Sequence, residues 1–153
     1  MPIQIRKGEP RDAATIAEFN RAMAWETEHK ELSLAIVQRG VERVFTDPKK
    51  GFYLVATNAE QIVGQLMVTY EWSDWRDGWF WWVQSVYVPP TARQQGIFRS
   101  LFTELLTLAH RAGDVVGVRL YVEKENAKAQ QTYASLGMHE AGYLLYELEF
   151  PQR

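Results

Sequence analysis

The segment Arg93–Gly96 combines an arginine, a glycine and a helix start, a combination that suits phosphate binding. It follows a predicted strand that ends at Val88, and an apolar helix pattern begins directly after it. The first N–H groups of a helix have no partner inside the helix, and the helix dipole makes that end positive. Gly96 lets the backbone approach a ligand, while Arg93 and Arg99 add positive charge. The alternative interpretation is an ordinary strand–loop–helix connection whose glycine only relieves strain.

A second polar group begins the next helix along the chain. Asn126 is placed to cap this helix, and Tyr133 follows two turns later. Residues 126, 129, 130 and 133 share one helix face, so an amide and a phenol point the same way. The alternative is a capped amphipathic helix with a half-buried tyrosine.

Taken together, the two segments resemble the GNAT superfamily of acyl-CoA-dependent N-acyltransferases, and more loosely its diamine acetyltransferases. The central motif of that superfamily is Arg/Gln-x-x-Gly-x-Gly/Ala, and this chain has Arg93, Gln94, Gln95, Gly96, Ile97 and Phe98. The later motif is Asn-x-x-Ala-x-x-x-Tyr-x-x-x-Gly-Phe, and this chain has Asn126, Ala129, Tyr133, Gly137 and Met138. Phe98 departs from the small residue of the motif, so its ring must point away from the phosphates and into the core.

The resemblance implies a donor, acetyl-CoA, and a set of residues that hold it. The pantetheine arm would pair with the backbone of Val86, Tyr87 and Val88, and the turn from Gln94 to Arg99 would hold the pyrophosphate. Arg93, Asn126, Ala129 and Tyr133 complete this set. The amine would attack the thioester directly, and Tyr133 would be the general acid, since a phenol keeps its proton at neutral pH.

The general base is not assigned by the pattern. Diamine acetyltransferases often carry a glutamate on the strand before the cofactor edge, where this chain has Gln84. Gln84 cannot accept the proton, but it can orient a water molecule. Glu26, Glu28 and Glu71 are alternative bases; their other interpretation is that of solvated surface carboxylates.

In the family, the connection between the first two helices usually forms one wall of the acceptor pocket, and acidic and aromatic residues there and on the central strands predict its character. These residues are Trp25, Glu26, Glu28, Glu71 and Trp82. Acidic and aromatic groups together favour a cationic amine, either a small molecule or a peptide amine. The alternative is an ordinary helix junction with its charges in water.

The order of apolar patterns predicts a single α/β (α+β) domain of the GNAT type spanning residues 1–153. Periodicity gives the element order β-α-α-β-β-β-α-β-α-β-β, with Asp12, Ser33 and Asn126 as helix caps and Gly113 as a helix end. The predicted sheet is mixed, mostly antiparallel and of six to seven strands, flanked by about four helices. Its last two strands are expected within Met138–Phe150.

The strand Trp79–Val88 carries aromatic residues at both odd and even positions. Strict alternation places Trp79, Trp81, Val83, Ser85 and Tyr87 on one face and Phe80, Trp82, Gln84, Val86 and Val88 on the other. A sheet with aromatic residues on both faces must be covered on both, by helices or by a partner subunit. A homodimer is therefore a hypothesis.

Composition excludes several other classes of function. The 153 residues include no cysteine, which excludes disulfides, cysteine-ligated zinc and a thiol nucleophile. A net charge of −2 gives no reason to expect nucleic acid, no apolar run is long enough for a membrane span, and scattered histidines predict no metal site. With no export signal, the cytoplasm is expected. Two rival functions remain: a non-catalytic acyl-CoA-binding or regulatory module on the same fold, and a phosphate-ligand binding protein of unrelated fold.

Overall fold

The computed structural model describes residues 2–151, which form two compact units. The first unit ends at Tyr121 and the second begins at Val122. The elements of the first unit are β1 (Gln4–Lys7), α1 (Ala13–Glu28), α2 (Leu34–Thr46), β2 (Phe52–Asn58), β3 (Gln61–Ser73), β4 (Gly78–Tyr87), α3 (Ile97–Ala112) and β5 (Val115–Leu120). The second unit contains α4 (Ala127–Ser135). Short 3-10 turns at Pro10–Asp12 and Pro90–Ala92 precede α1 and α3.

The first unit is built on one sheet with the strand order β1-β2-β3-β4-β5. The first three pairings are antiparallel, and β4 pairs with β5 in parallel. The predicted mixed, mostly antiparallel sheet and the four α-helices are confirmed. The predicted number of strands is too high, because the described residues form five rather than six to seven.

The missing strands are those expected within Met138–Phe150. Residues 139–150 form no strand, although the segment is rich in residues that favour strands. Its large apolar side chains are between 67% and 89% exposed, namely Tyr143, Leu144, Leu145, Tyr146, Leu148 and Phe150. A strand exists only through hydrogen bonds to a neighbour, and within the described residues this segment has no ladder partner.

Two hydrophobic layers sandwich the sheet because side chains of β2 alternate between its faces. Leu54 and Ala56 pack with the apolar side of α3, around Leu101 and Leu105. The intervening residues Tyr53 and Val55 pack with α1 and α2, around Ile16, Ala17, Val41 and Val44. Burying each of the leucine, isoleucine and valine side chains among them stabilises the fold by roughly 1.5–3 kcal/mol.

The helix ends confirm most of the predicted caps. The Ser33 hydroxyl accepts from the Ile36 N–H at 3.4 Å, and Gly113 ends α3 with φ of +84°. Asp12 is the exception, since its side chain makes no capping bond to α1. Its carboxylate accepts from Arg6 at 2.7 Å and from the backbone N–H of Glu9, so its oxygens serve the preceding turn instead.

Candidate functional site

Strand β4 contains a bulge that changes the direction of its last residues. Pairing with β3 runs regularly from Gly78 to Gln84, and then shifts by one residue before Tyr87 pairs with Gln65. Ser85 takes up the extra length in the left-handed region, with φ of +52°. Such a bulge places two residues of one strand opposite one residue of its neighbour.

The bulge makes the predicted alternation wrong beyond Ser85. Val86 and Val88 pack on the α3 side of the sheet, with Trp81 and Val83, rather than opposite them. Tyr87 instead faces α1, where its ring centroid lies 5.2 Å from that of Phe19. One inserted residue exchanges the two faces of a strand, and the sequence pattern does not reveal the insertion.

The end of β4 also extends past its parallel neighbour. The last pair between β4 and β5 joins Val83 to Leu120, whereas β4 continues to Tyr87. Among residues 2–121, no strand pairs with β4 on that side beyond Val83. This segment therefore offers backbone N–H and C=O groups to an extended ligand.

The turn after β4 has the backbone shape expected of an anion site. Gln94 and Gly96 have φ of +64° and +74°, and α3 begins at Ile97. A Cβ at position 96 would meet no atom within 4 Å, so the space beside the glycine is open. Phe98 packs against the core, with its ring centroid 5.9 Å from that of Phe102, as its bulk required.

Arg93 connects this turn to the end of α1. Its Nε donates to the Val88 carbonyl at 2.8 Å, and its Nη2 donates to both carboxylate oxygens of Glu26 at 3.0 and 3.1 Å. The guanidinium also lies 5.7 Å from the centre of the Tyr87 ring. The pKa of the Tyr87 phenol is raised, first by burial and then by the Glu26 carboxylate. Arg93 and Glu26 thus hold the turn in place.

A shallow pocket of about 350 Å³ lies on the same sheet face as α1 and α2, over β3 and β4. It is lined by Thr69, Tyr70, Glu71, Trp82, Gln84 and Tyr121. The Gln84 amide donates to the Thr69 hydroxyl at 2.6 Å, which fixes the orientation of the glutamine. The structure thus brings three of the predicted residues, Glu71, Trp82 and Gln84, into one pocket.

Glu71 already has partners in this pocket. It accepts from Arg119 at 2.7 Å and from the Trp82 indole at 3.2 Å. Trp82 in turn stacks on Tyr121, with ring centroids 4.4 Å apart, and the Arg119 guanidinium covers the Phe80 ring at 3.6 Å. The pocket therefore presents a paired carboxylate and aromatic faces rather than a free negative charge.

Three of the predicted acceptor residues do not line this pocket, and one of them, Glu26, pairs with Arg93. Trp25 is 57% exposed and has the edge of its ring near His29, with centroids 5.5 Å apart. The Glu28 carboxylate lies 3.6 Å from the Lys30 ammonium group, and both side chains are exposed. Both belong to the exposed end of α1.

The second unit contains the other two predicted segments. The Asn126 side chain accepts from the Ala129 N–H at 3.0 Å, which confirms it as the cap of α4. Gln130 donates to the carbonyls of Glu123 and Lys124, so the loop before the helix is fixed. Tyr133 is half-buried, and burial raises the pKa of its phenol. Its hydroxyl therefore stays protonated across the neutral range.

Sequence reasoning missed Arg119 and Gln65. Arg119 neutralises Glu71, and Gln65 is completely buried beside the β4 bulge. Their partners lie on other strands, so the contacts depend on strand order and register. An arginine at an alternating position of a predicted strand was the one available signal for Arg119.

Comparison with known proteins gives the family. The family model described as "Acetyltransferase (GNAT) family" matches residues 12–138. The chain belongs to the GNAT acetyltransferase family. This membership makes it an acetyltransferase by fold and family, and the family uses acetyl-CoA.

Solved structures agree with this assignment. A possible acetyltransferase from Clostridium difficile 630 is 46% identical, covers 99% of this chain and 100% of its own, and superposes with a TM-score of 0.91. A predicted acetyltransferase with acetyl-CoA from Clostridium acetobutylicum is 16% identical, with coverages of 97% and 96% and a TM-score of 0.78. A ribosomal-protein-alanine N-acetyltransferase from Brucella melitensis biovar Abortus 2308 is 17% identical, with coverages of 98% and 100% and a TM-score of 0.78.

The latter two similarities concern the fold alone. No curated protein matches the chain significantly. Within residues 2–151, no helix has both the length and the apolar character needed to cross a membrane.

Proposed function

We propose that this GNAT protein transfers the acetyl group of acetyl-CoA to an amine, by direct attack of the amine on the thioester in a ternary complex. The observation that carries the proposal is the open backbone edge of β4, which runs into the left-handed turn and the start of α3. An extended arm that ends in a thiol can pair with an open strand edge, and a pyrophosphate can bind the backbone N–H groups of a turn at a helix start. The family supplies the reaction class.

The residues present fit the donor. The backbone of Val86, Tyr87 and Val88 would pair with the pantetheine arm, since among residues 2–121 no strand pairs with this part of the chain on its outer side. The backbone N–H groups from Gln94 to Arg99, including those of Gln95, Ile97 and Phe98, surround the pyrophosphate. Gly96 leaves open space beside them. Arg93 supports the turn through Val88 and Glu26, and Asn126 and Ala129 complete the cofactor set by family motif.

Two proton transfers accompany the reaction. The amine loses a proton as its nitrogen forms the bond to the carbonyl carbon, and the C–S bond then breaks. Tyr133 gives its phenolic proton to the departing sulfur, a role that its raised pKa supports. Gln84, held by Thr69, orients a water molecule that carries the amine proton away. Among the carboxylates, Glu71 is the one that lines the same pocket.

The acceptor enters the pocket on β3 and β4. Trp82 and Tyr121 give it an aromatic wall, and Glu71 gives it one carboxylate that is shared with Arg119. This arrangement favours an amine attached to an apolar or aromatic group over a polycation. Small cationic amines and peptide amines both meet that description. Trp25, Glu26 and Glu28 then contribute through the end of α1 rather than through the pocket itself.

Residues 1–153 act as one acetyltransferase domain in this proposal. The family model crosses from the first compact unit into the second, since it ends at residue 138. The cytoplasm is the proposed location, and neither nucleic acid nor a membrane is a proposed partner.

A homodimer is the proposed assembly. Residues 143–150 expose six large apolar side chains, and β5 has a strand on one side only among the described residues. Each copy therefore carries both a strand-forming segment and an open strand edge. The strand-forming segment of one copy can pair with the open strand edge of the other, and this favours a dimer of the same chain.

The test is thiol release from acetyl-CoA in the presence of a panel of amines, with mass spectrometry of the amine products. We expect acetylated product from at least one aromatic or aliphatic primary amine. The second candidate, a non-catalytic acyl-CoA-binding module, is favoured by Gln84 standing where a carboxylate is common. Binding of coenzyme A with no product from any amine would select that candidate.

A further inference from the structure

Gln65 is a polar side chain enclosed in the core next to the bulge of β4. It lies on β3 with no exposed surface. Its Nε2 donates to the Asn20 side-chain oxygen at 2.9 Å and to the Ser85 carbonyl at 3.0 Å. Its Oε1 has no hydrogen-bond partner among the described residues. A buried amide with an unpaired acceptor lowers the stability of the fold, and an apolar residue of the same size would avoid this loss.

The amide compensates for a local defect that the bulge creates. Ser85 has φ of +52°, a conformation that residues other than glycine adopt only when their surroundings hold them there. The shift in register removes regular β3–β4 pairing at this point, and the Ser85 carbonyl finds its donor in Gln65 instead. Gln65 therefore supplies the hydrogen bond that the ladder no longer provides.

The bulge decides which groups of β4 face the open edge. Side chains and backbone groups of a strand both alternate, so one inserted residue shifts them all by one position. With the bulge, Tyr87 faces α1 and Val86 faces α3. Without it, the regular register would exchange these faces and would turn different N–H groups toward the unpaired side.

We propose that Gln65 is a positioning residue for acyl transfer, because it stabilises the Ser85 bulge that aims the backbone of Val86 and Tyr87 at the thioester. This inference rests on the proposed function. Asn20 contributes to this positioning, since its side-chain oxygen accepts from the Gln65 amide and keeps the N–H₂ group oriented toward Ser85. Helix α1, β3 and β4 are thereby joined at one buried amide.

The first experiment replaces the amide with a side chain of similar length, in Gln65→Met. We expect turnover in thiol release to fall about tenfold, the scale of one lost positioning contact. The dissociation constant of coenzyme A should rise by much less than turnover falls, because the pyrophosphate turn at Gly96 is unchanged and only the pairing of the pantetheine arm is affected. Leu66→Met is the matched control, a buried neighbour on the same strand, and it should keep the turnover of the wild type.

The decisive variant is the double substitution Gln65→Met with Ser85→Gly. Glycine adopts a positive φ without help, so the bulge should form again and turnover should recover to within about threefold of the wild type. A double variant as slow as Gln65→Met would overturn the proposal, and so would a fall in coenzyme A affinity that matches the fall in turnover. If Gln65→Met does not fold, Asn20→Leu replaces it, with the same expected rescue.

Failure of the proposed function can be told apart from failure of this inference. If the wild-type protein releases no thiol with any amine, the enzyme proposal fails. Amide hydrogen exchange across residues 83–88 then tests Gln65 by itself. We expect faster exchange in Gln65→Met and wild-type exchange in the double variant; exchange that is unchanged in Gln65→Met would overturn the positioning role.

Discussion

At the scale of single residues, Tyr133 is the group whose chemistry is most specific. Burial raises the pKa of its phenol, so the proton is present throughout the neutral and mildly alkaline range. We expect Tyr133→Phe to lower kcat about a hundredfold, the usual scale for one general acid, and to leave the affinity for acetyl-CoA within about twofold. Turnover should show no loss from this group between about pH 7 and pH 9. Steady-state kinetics with Tyr143→Phe, an exposed tyrosine, as the control would refute the role if both variants match the wild type.

Glu71 tests the acceptor pocket at the same scale. Its carboxylate is 45% exposed and is shared between Arg119 and Trp82. We expect Glu71→Gln to raise KM for a cationic amine about fivefold, since a partly exposed charge contributes on the order of 1 kcal/mol and the unpaired Arg119 then repels the substrate. Glu28→Gln, outside the pocket, is the matched control. An equal change of KM in both variants would show that the acceptor binds outside this pocket.

The sequence indicated some of these residues and not others, for a physical reason. The inward packing of Phe98 and the capping by Asn126 were predictable because both depend on neighbours within about one turn of helix. Gln65 and Arg119 were not, because their partners lie on other strands, and strand register follows from the whole sheet. Arg93 was predicted as part of the cofactor set, and that role stays a prediction; its bonds to Val88 and Glu26 were not predictable because Glu26 lies on a distant helix.

At the scale of secondary structure elements, the proposed phosphate site at the start of α3 can be tested by comparing the glycines at the two ends of this helix. Gly96 and Gly113 both have left-handed backbones, with φ of +74° and +84°, and at neither position would an added Cβ meet an atom within 4 Å. Alanine at either site should cost about 1–2 kcal/mol of folding free energy and lower Tm by several degrees.

The two alanine variants should differ in ligand binding. Gly96→Ala is expected to weaken coenzyme A binding about tenfold in calorimetry, because it adds a methyl group and strain to the phosphate turn. Gly113→Ala should bind as the wild type does. Equal affinities in the two variants would contradict the placement of the pyrophosphate at the start of α3.

The strand β4 shows where periodicity stops being informative. The predicted assignment of side chains to sheet faces was right from Trp79 to Gln84 and wrong after Ser85. The bulge inserts one residue there, and no glycine or proline in the sequence indicates it. The segment 138–150 shows a second limit. Its residue types favour strands, yet strand formation depends on a partner that local sequence does not specify.

At the scale of the whole molecule, the exposed apolar segment makes assembly testable. We expect the full chain to have the mass of a dimer in light scattering, and a chain ending at Gly142 to have that of a monomer. The substitution Tyr146→Lys, which adds a charge to the 89% exposed position, should shift the full chain toward monomer. A monomeric wild-type protein would end the dimer hypothesis.

Stability of the first unit should fall at alkaline pH because of Tyr53. Burial raises the pKa of this phenol to about 12 from its ordinary value of 10.0. The unfolded chain therefore loses the proton first, so the contribution is complete below about pH 10 and is lost as pH rises toward 12. The full loss, reached above pH 12, amounts to roughly 2.7 kcal/mol, and about half of it is expected at pH 11. Urea unfolding at pH 8 and pH 11 should show a smaller loss in Tyr53→Phe; an equal loss would place the titration elsewhere, for example at Tyr70.

The central claim is that acetyl-CoA lies along the open end of β4 with its pyrophosphate at the start of α3. Calorimetric titration of coenzyme A into the wild-type protein tests it most directly, since it requires neither the acceptor nor turnover. We predict saturable binding with one site per chain. The absence of any binding would contradict the claim, and would favour a protein that binds another phosphorylated ligand.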